Sequence, residues 1–367
     1  LINFILYLNN KMKSILTTSC AIHFGDTAYQ AMHSYLQSSN HSKIIVLVDV
    51  NTKASCLPVL IDKMANNLQI EIIEIPNGEI HKTIISCLNV WRRLSELGAD
   101  RNSLMINLGG GVVTDLGGFV ASTFKRGLKF INIPTSLLAM VDASVGGKTG
   151  VDLDLSKNQV GTITFAEMVL VDAKFLDTLP KEELRSGMAE MLKHGLISDR
   201  LYWDALKGLK SPKKADLTPF IYRSVEIKNA IVTKDPNEMN VRKFLNFGHT
   251  LGHAIESYCL DSKTLKTLLH GEAIAIGMVL EAFLSYKLCG LSENDLIAIK
   301  TTFSEIYEKC EFGDENIKSI FNLLKHDKKN THGRVNFVLI EAIGKCRLDV
   351  EVSEALIYDA FRYYAKG

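Results

Sequence analysis

The first half of the chain alternates short β-branched runs with segments of helical spacing. Four apolar runs predict buried strands, at residues 43–50, 68–75, 103–108 and 129–133. Between two of these runs, residues 83–97 place Ile84, Leu88, Trp91 and Leu94 at helical spacing. Strands that are separated by helices predict an α/β fold, with a parallel sheet covered by helices on both faces.

The pattern changes after about residue 178. Long helical stretches follow, at residues 181–197, 217–234, 247–259, 270–289 and 293–310, and one late strand is predicted at 335–340. A boundary near Leu179-Pro180 predicts an α/β domain over 12–178 and a mostly α-helical domain over 179–367. Because no low-complexity linker separates them, we expect the domains to pack closely, with a cleft between them as the ligand site.

Composition limits the classes of function. Of 367 residues, 47% are hydrophobic and 23% charged, which is typical of a globular protein. The 42 basic and 41 acidic residues leave too little net charge for a nucleic-acid binder that relies on bulk positive charge. The seven cysteines form no C-x-x-C pair, which predicts free thiols in a reducing compartment. No apolar run approaches the roughly 20 residues that span a bilayer, so we expect a soluble, cytoplasmic protein.

The N-terminus has no secretory signal pattern. Residues 1–10 are apolar, but they lack a preceding basic region and a small-residue cleavage site, and Lys11 follows at once. We expect Met12 to be the natural start and residues 1–11 to be upstream sequence.

A glycine-rich turn follows the third predicted strand. Gly109, Gly110 and Gly111 open a predicted helix that includes Asp115. Backbone N–H groups can approach an anion at such a turn, and the positive end of the helix dipole adds to the attraction. The turn predicts a phosphate site, with Asp115 placed to accept hydrogen bonds from a ribose, although the G-x-G-x-x-G fingerprint is absent. A plain tight turn is the alternative.

Candidate metal ligands occur in three helical segments. These are Glu190, the pair His249 and His253 four residues apart, and His270. One carboxylate and two imidazoles that leave a coordination position open are typical of a catalytic zinc site. Spacing leaves open which of His249 and His253 is a ligand, and His194 is a further rival. Ordinary core histidines are the alternative interpretation.

Cationic side chains recur within otherwise apolar segments, at Arg126, Lys148, Lys157, Lys193, Lys228, Arg242 and Lys328. Any one of them is more often a solvated surface residue. Lys148 differs because Gly146-Gly147 puts it in a tight turn, and Asn158 follows closely. If several of these groups converge, they would bind a substrate that carries phosphate and carboxylate groups.

These motifs together resemble a known family. The segments GGGVVTDLGGFVASTFKRG, IPTSLLAMVDASVGGKTGVD, SKNQVG, GMAEMLKHG, RKFLNFGHTLGHAIE, HGEAIAIGM and HDKK occur in the order found in the 3-dehydroquinate synthases, members of the sugar phosphate cyclase family. The resemblance implies an N-terminal Rossmann-like α/β domain and a mostly α-helical C-terminal domain. It also implies NAD, one zinc or cobalt ion, and a homodimer.

The resemblance implies roles for individual residues. Its metal ligands are Glu190, His249 and His270, and His253 becomes a proton-handling group that contacts the substrate. The implied substrate and catalytic residues are Arg126, which reaches in from the partner subunit, Lys148, Asn158, Lys193, Lys228, Arg242, Asn246, His253 and Lys328, or Lys329 in its place. The implied NAD-binding residues are Asp49, Asn77, Gly78, Glu79, Lys82, Gly110, Gly111, Val112, Asp115, Thr135, Ser136, Asp142, Lys148, Lys157, Phe175 and Thr178.

The implied reaction converts 3-deoxy-D-arabino-heptulosonate 7-phosphate into 3-dehydroquinate and phosphate, in the shikimate pathway of aromatic amino acid biosynthesis. It combines transient oxidation by NAD, phosphate elimination, reduction and aldol ring closure. The chain departs from the family pattern at Thr114, Ser136, Asp152 and His194, but it keeps every ligand and cation that this chemistry needs.

Three other functions compete with this one. Another sugar phosphate cyclase would act on a different sugar, but Arg242, Asn246 and the Asp327-Lys328-Lys329 run favour a substrate with a carboxylate. A metal-dependent polyol dehydrogenase would give Lys148, Asn158 and Arg242 nothing to bind. A non-enzymatic binding protein would make all of these matches coincidental. Fold alone does not separate the four functions.

Overall fold

Two compact units make up the chain. The computed structural model describes residues 12–17, 19–64, 68–154, 156–209, 214–262, 265–325 and 335–366. The α/β unit comprises Ile2–Pro180 and Pro212–Asn229, and the helical unit comprises Lys181–Ser211 and Ala230–Gly367. The chain therefore returns to the α/β unit once after it has entered the helical unit.

A seven-stranded sheet forms the centre of the α/β unit. The strands of this unit are β1 (Ile15–Leu16), β2 (Ala21–Phe24), β3 (Ile44–Asp49), β4 (Ile70–Ile75), β5 (Leu104–Gly109), β6 (Lys129–Pro134), β7 (Lys148–Leu153), β8 (Ser156–Ile163) and β9 (Met168–Val171). The sheet has the order β1-β2-β9-β6-β5-β3-β4, and its neighbouring strands are parallel except for β1 with β2. β7 and β8 form a separate antiparallel hairpin. The predicted parallel α/β fold is confirmed.

Helices alternate with these strands along the chain. They are α1 (Asp26–Ser38), α2 (Val50–Ser55), α3 (Leu57–Lys63), α4 (Ile84–Glu96) and α5 (Gly111–Thr123). Ile45, Val46 and Leu47 of β3 are fully buried, because a parallel strand between two helical layers is covered on both faces. Each such side chain stabilises the fold by about 1.5–3 kcal/mol. α4 begins after Thr83, whose hydroxyl accepts a hydrogen bond from the Ser86 N–H.

The remaining helices are those of the helical unit and one that links the two units. They are α6 (Lys181–Ser198), α7 (Arg200–Lys207), α8 (Thr218–Lys234), α9 (His249–Asp261), α10 (His270–Leu288), α11 (Glu293–Ile306), α12 (Asp314–Lys325) and α13 (Glu354–Ala365), and the antiparallel pair β10 (Asn336–Ala342) and β11 (Lys345–Glu351) completes the unit. α8 begins in the α/β unit and ends in the helical unit. The predicted helix over 293–310 is too long, because the backbone becomes extended at Tyr307.

α10 is the central helix of the helical unit. Every residue from Gly271 to Ser285 is buried, and the helix packs against α6, α9, α11 and α13. A helix that is apolar on all sides belongs in the middle of a core. Within the described part of the chain, no helix combines the length and the apolar character that crossing a membrane requires.

Candidate functional site

Three helices of the helical unit bring the predicted metal ligands together. Glu190 lies in α6, His249 begins α9, and His270 begins α10. The Glu190 Oε1 atom is 3.5 Å from Nε2 of His249 and 3.5 Å from Nε2 of His270. One ring nitrogen from each of His249, His253 and His270 lies within 4.8 Å of the others. The cluster thus contains both histidines between which spacing could not choose. The rival His194 is fully buried in α6, and one of its ring nitrogens lies within 4.8 Å of a Glu190 carboxylate oxygen.

Glycines allow the three helices to approach closely enough for this cluster. A Cβ atom on Gly271 would lie 2.0 Å from the Ser186 carbonyl oxygen of α6, and one on Gly277 would lie 2.0 Å from the Gly248 carbonyl oxygen. The Gly271 N–H also donates to Ser186 Oγ at 3.0 Å. These contacts place the starts of α9 and α10, and the imidazoles that they carry, beside the carboxylate of α6.

Glu190 is a fully buried carboxylate in a cationic environment. Its side chain is 0% exposed and forms an ion pair with Lys193, and within the described part of the chain neither oxygen accepts a hydrogen bond of regular geometry. Burial alone raises the pKa of this carboxyl, but Lys193, His249 and His270 outweigh burial and hold the pKa well below its usual value. A buried carboxylate with two imidazole nitrogens beside it is a donor set that fits a divalent zinc or cobalt ion.

The two histidines that contact Glu190 are each held at their second ring nitrogen. His249 Nδ1 lies 3.1 Å from the Phe247 carbonyl oxygen, and His270 Nδ1 lies 3.2 Å from Glu256 Oε2. An N–H donated to these oxygens leaves Nε2 as the ligand atom of both rings. Burial lowers the pKa of His270, but Glu256 and Glu190 outweigh burial and raise it to about 10.

Two buried acids of this cluster were not predicted, Glu256 and Glu281. The Glu281 carboxylate accepts hydrogen bonds from two backbone N–H groups at the start of α9, at 2.6 and 3.1 Å, and so fixes that end of the helix. The signal for Glu256 was its spacing, since it follows His253 by three residues and His249 by seven, on one face of a helix.

The predicted NAD-binding residues lie mainly at the carboxyl edge of the sheet. Asp49 ends β3, while Asn77, Gly78, Glu79 and Lys82 follow β4, Gly110, Gly111, Val112 and Asp115 follow β5, Thr135 and Ser136 follow β6, and Phe175 and Thr178 follow β9. β3 lies between β4 and β5, so the crossover direction reverses between β3 and β5. Open α/β sheets bind ligands outside the carboxyl ends of the strands at such a reversal.

The start of α5 presents backbone N–H groups at this edge. Gly110 is the N-cap residue, and no side chain among the described residues caps the helix, so its first N–H groups lack an intrahelical acceptor. The Thr135 N–H donates to the Gly109 carbonyl at 2.9 Å, which joins the ends of β5 and β6. A Cβ atom on Gly110 would lie 3.3 Å from Ser136 Oγ. The geometry of the predicted phosphate turn is thus that of an uncapped helix start.

Lys82 joins several of the predicted residues into one cluster. Its Nζ atom, in a side chain that is 4% exposed, donates to Asp115 Oδ2 at 2.6 Å and to Asn158 Oδ1 at 2.7 Å. Lys157 Nζ is 3.3 Å from Glu79 Oε1. Burial lowers the pKa of Lys82, but Asp115 and Glu79 outweigh burial and raise it. The Asp115 carboxylate, expected to face a ribose, is therefore also held by a buried cation.

Two family models match most of the chain. The model described as 3-dehydroquinate synthase N-terminal matches residues 72–186, and the one described as 3-dehydroquinate synthase C-terminal matches residues 187–330. The chain belongs to the 3-dehydroquinate synthase family. A curated 3-dehydroquinate synthase from Parabacteroides distasonis is 40% identical over 338 residues, which cover 92% of this chain and 95% of that protein.

Solved structures of other cyclases share the fold. The structure of 2-deoxy-scyllo-inosose synthase complexed with carbaglucose-6-phosphate, NAD⁺ and Co²⁺ has a TM-score of 0.83 at 25% identity, and the match covers 96% of this chain and 99% of that chain. The 2-epi-5-epi-valiolone synthase from Streptomyces hygroscopicus subsp. jinggangensis, with NAD⁺ and Zn²⁺ bound, has a TM-score of 0.82 at 25% identity, with 97% and 99% covered.

Arg242 and Asn246 of this family member lie on the short turn that precedes α9. Arg242 is 2% exposed, and its Nη1 atom donates to the Pro236 carbonyl at 2.6 Å. The Asp235 carboxylate accepts a hydrogen bond from the backbone N–H of Arg242 at 3.1 Å. Asn246 Nδ2 donates to Glu238 Oε1 at 2.9 Å. Both predicted side chains are therefore fixed by neighbouring acids and carbonyls, which were not predicted.

Lys228 and Lys148 lie on two further elements of the α/β unit, Lys228 within α8 and Lys148 at the start of β7. Lys228 Nζ donates to the Asp142 carbonyl oxygen at 2.5 Å and to Asp142 Oδ1 at 2.8 Å. Asp142 belongs to a single π-helical turn, a rare feature that is frequent at functional sites. Lys148 follows Gly146 (φ 110°) and Gly147 (φ 71°), so the predicted tight glycine turn is confirmed.

Arg126 stands apart from these clusters. Arg126 is exposed, and its backbone is left-handed, with φ 69°. Among the described residues, no hydrogen bond or ion pair joins it to another predicted site residue. Lys328 and its alternative Lys329 lie outside the described residues.

Proposed function

We propose that this chain converts 3-deoxy-D-arabino-heptulosonate 7-phosphate into 3-dehydroquinate and phosphate, with NAD and one Zn²⁺ or Co²⁺ ion. The proposal depends most on one observation. Glu190, His249 and His270 converge from three helices, in a chain that belongs to the 3-dehydroquinate synthase family.

Glu190, His249 and His270 would hold the metal ion. Glu190 supplies the anionic ligand, and the two imidazoles supply Nε2 atoms whose partners at Nδ1 are already in place. His253, one turn further along α9, would handle a proton of the substrate. When bound, the metal supplies Lewis-acid polarisation of a substrate oxygen, and NAD supplies a reversible hydride acceptor.

We assign the carboxyl edge of the sheet to NAD. The uncapped start of α5 suits the pyrophosphate, because N–H groups and the helix dipole both favour an anion there. Lys82 holds Asp115 and Asn158 before any ligand arrives. Such preorganisation lowers the entropy cost of binding.

The cationic residues would bind the charged ends of the substrate. These residues are Lys148, Lys193, Lys228, Arg242 and Lys328, with Asn158 and Asn246 as amide donors, and with Arg126 from the partner subunit. The buried Arg242 suits a carboxylate or phosphate, since its planar fork makes paired hydrogen bonds. This number of cations favours a substrate with phosphate and carboxylate groups over an uncharged polyol.

A homodimer and a cytoplasmic location are further proposals, and the family resemblance alone supports them.

The decisive experiment measures phosphate release from the heptulosonate phosphate by the purified chain. We expect release that requires NAD, stops after chelation of the metal, and yields 3-dehydroquinate without net NADH. Net NADH formation would instead indicate a dehydrogenase. NAD and metal binding without phosphate release would refute the proposed substrate, and a panel of other sugar phosphates would then identify a sister cyclase.

A further inference from the structure

The imidazole of His270 lies between two carboxylates. Its Nε2 atom is 3.5 Å from Glu190 Oε1, and its Nδ1 atom is 3.2 Å from Glu256 Oε2. Glu256 is only 5% exposed, and a carboxylate is costly to bury without a partner. The proposed metal site uses Glu190 as a ligand but gives Glu256 no role.

Glu256 is carried by the same face of α9 as two other members of the cluster. It follows His249 by seven residues and His253 by three. The start of α9 is fixed in turn by Glu281 of α10, which accepts two backbone hydrogen bonds from it. Glu256 of α9 and His270 of α10 therefore face each other, and the hydrogen bonds of Glu281 fix the relative position of the two helices.

The two proposed histidine ligands are oriented in different ways. His249 is buried, and its Nδ1 atom contacts the backbone carbonyl of Phe247. His270 is the first residue of α10, its side chain is 24% exposed, and its Nδ1 partner is the side chain of Glu256. One substitution can therefore remove the partner of His270, whereas none can remove the partner of His249.

We infer that Glu256 is a positioning residue for His270. Its carboxylate accepts the Nδ1–H, keeps Nε2 directed at Glu190, and makes Nε2 a stronger ligand. The inference rests on the metal site of the proposed function, and it requires no contact between Glu256 and the ion. Carboxylates that hold ligand histidines in this way contribute about 10–100-fold to metal affinity.

The test compares the metal affinity of the full chain with that of E256A and E256Q. D261N is the matched control, because it removes an exposed carboxylate from the end of the same helix. Each protein is stripped with a chelator, titrated with Zn²⁺ against a chromophoric competitor, and saturated with Co²⁺ for visible absorption. We expect E256A to weaken Zn²⁺ binding roughly 10–100-fold. E256Q should weaken it by a smaller factor, since its amide oxygen still accepts the Nδ1–H, and D261N should not change it.

The Co²⁺ absorption separates orientation from folding. A changed spectrum in E256A, with the thermal unfolding of the metal-free protein unaltered, supports positioning. If E256A does not fold, E256Q decides the question, because it keeps the size of the side chain and loses only its charge. Zn²⁺ affinity equal to that of D261N in every folded Glu256 variant overturns the inference.

Failure of this inference differs from failure of the proposed function. A wild-type chain that binds Zn²⁺ but releases no phosphate from the heptulosonate phosphate would refute the proposed reaction, and the comparison of Glu256 variants would still be decisive. A wild-type chain that binds neither Zn²⁺ nor Co²⁺ would overturn both.

Discussion

His249 and His253 lie one turn apart on α9 but have different surroundings. His249 is buried, lies 3.5 Å from Glu190, and has its ring fixed by the Phe247 carbonyl. His253 is half-buried, with its ring centroid 5.1 Å from that of His249. A histidine that binds the metal needs a fixed ring beside the carboxylate ligand. A histidine that exchanges protons with a substrate must instead be accessible to that substrate. The contacts therefore favour His249 as the ligand.

This difference gives the first prediction. His249→Ala should abolish metal binding and turnover together. His253→Ala should keep the metal but slow turnover by about 10²–10⁴-fold, the usual loss when a general acid–base group is removed. Metal content by mass spectrometry and phosphate release measure the two effects. Loss of metal in His253→Ala with retention in His249→Ala would exchange the two roles.

Thiol reactivity gives the second prediction. A hydrogen bond from Cys259 lowers the pKa of Cys310, whereas burial raises the pKa of Cys56 to about 11 and those of Cys87 and Cys346 to about 12. Only the thiolate reacts with alkylating agents. As the pH rises from neutral, Cys310 should be modified first, and Cys56, Cys87 and Cys346 should react only in strong alkali or after unfolding. Peptide mass spectrometry gives the order, with urea-unfolded protein as the control. Modification of Cys87 before Cys310 would contradict it.

At the scale of elements, the strands that are buried on both faces were predicted best from the sequence. The run at 43–50 corresponds to β3, because a strand covered by two layers is apolar throughout. The β7–β8 hairpin was missed because its strands, KTGVDL and SKNQVGTI, are polar and contain glycine. Their pairing depends on the turn between them and on packing against α5. Neither of these produces a periodic pattern of apolar residues in the sequence.

The candidate site was predictable in part: its proposed ligands and His253 were predicted, but Glu256 was not. Histidine spacing and the family motifs named Glu190, His249, His253 and His270, all of which meet in the structure. Glu256 was not predicted, because an acid within a helical pattern ordinarily faces solvent. Its burial depends on how α9 crosses α10, which is a long-range contact. The return of Pro212–Asn229 to the α/β unit is likewise a long-range feature.

The crossing of α9 and α10 gives the third prediction. A Cβ atom on Gly277 would lie 2.0 Å from the Gly248 carbonyl oxygen, so Gly277→Ala should push the helices apart. We expect the free energy of unfolding to fall by about 1–3 kcal/mol. Zn²⁺ binding should weaken as well, because His249 begins α9. Urea unfolding and Zn²⁺ titration measure the two effects.

Gly208→Ala is the matched control for this change. Gly208 ends α7 with φ −82°, and the nearest atom to an added Cβ would be 3.6 Å away. This variant should stay within about 0.5 kcal/mol of the wild type, with unchanged Zn²⁺ affinity. Equal free energies of unfolding for the two variants would show that the crossing of α9 and α10 tolerates an added Cβ atom.

At the scale of the whole molecule, the net charge is close to zero, yet buried lysines and carboxylates form local ion pairs. Among the described residues, three buried lysines each face a carboxylate, in the pairs Lys82–Asp115, Lys193–Glu190 and Lys228–Asp142. Breaking a buried pair by removing one partner costs about 3–5 kcal/mol. Lys82 and Lys228 are therefore built into the fold of the α/β unit, and Lys193 is built into the fold of the helical unit.

Arg126 is a predicted cation that belongs to none of these three pairs, and it tests the proposed homodimer. Because the family resemblance gives it a substrate contact across subunits, Arg126→Ala should lower turnover without changing Zn²⁺ affinity, while His270→Ala should lose both. In a mixture of the two variants, half of randomly formed dimers contain one of each, and one site of each such dimer is intact. Mixing should therefore restore about a quarter of the sites in a symmetric dimer. Phosphate release by the mixture no greater than that of the separate variants would place Arg126 in its own subunit's site or make the enzyme a monomer, and sedimentation of the wild type would decide between these two.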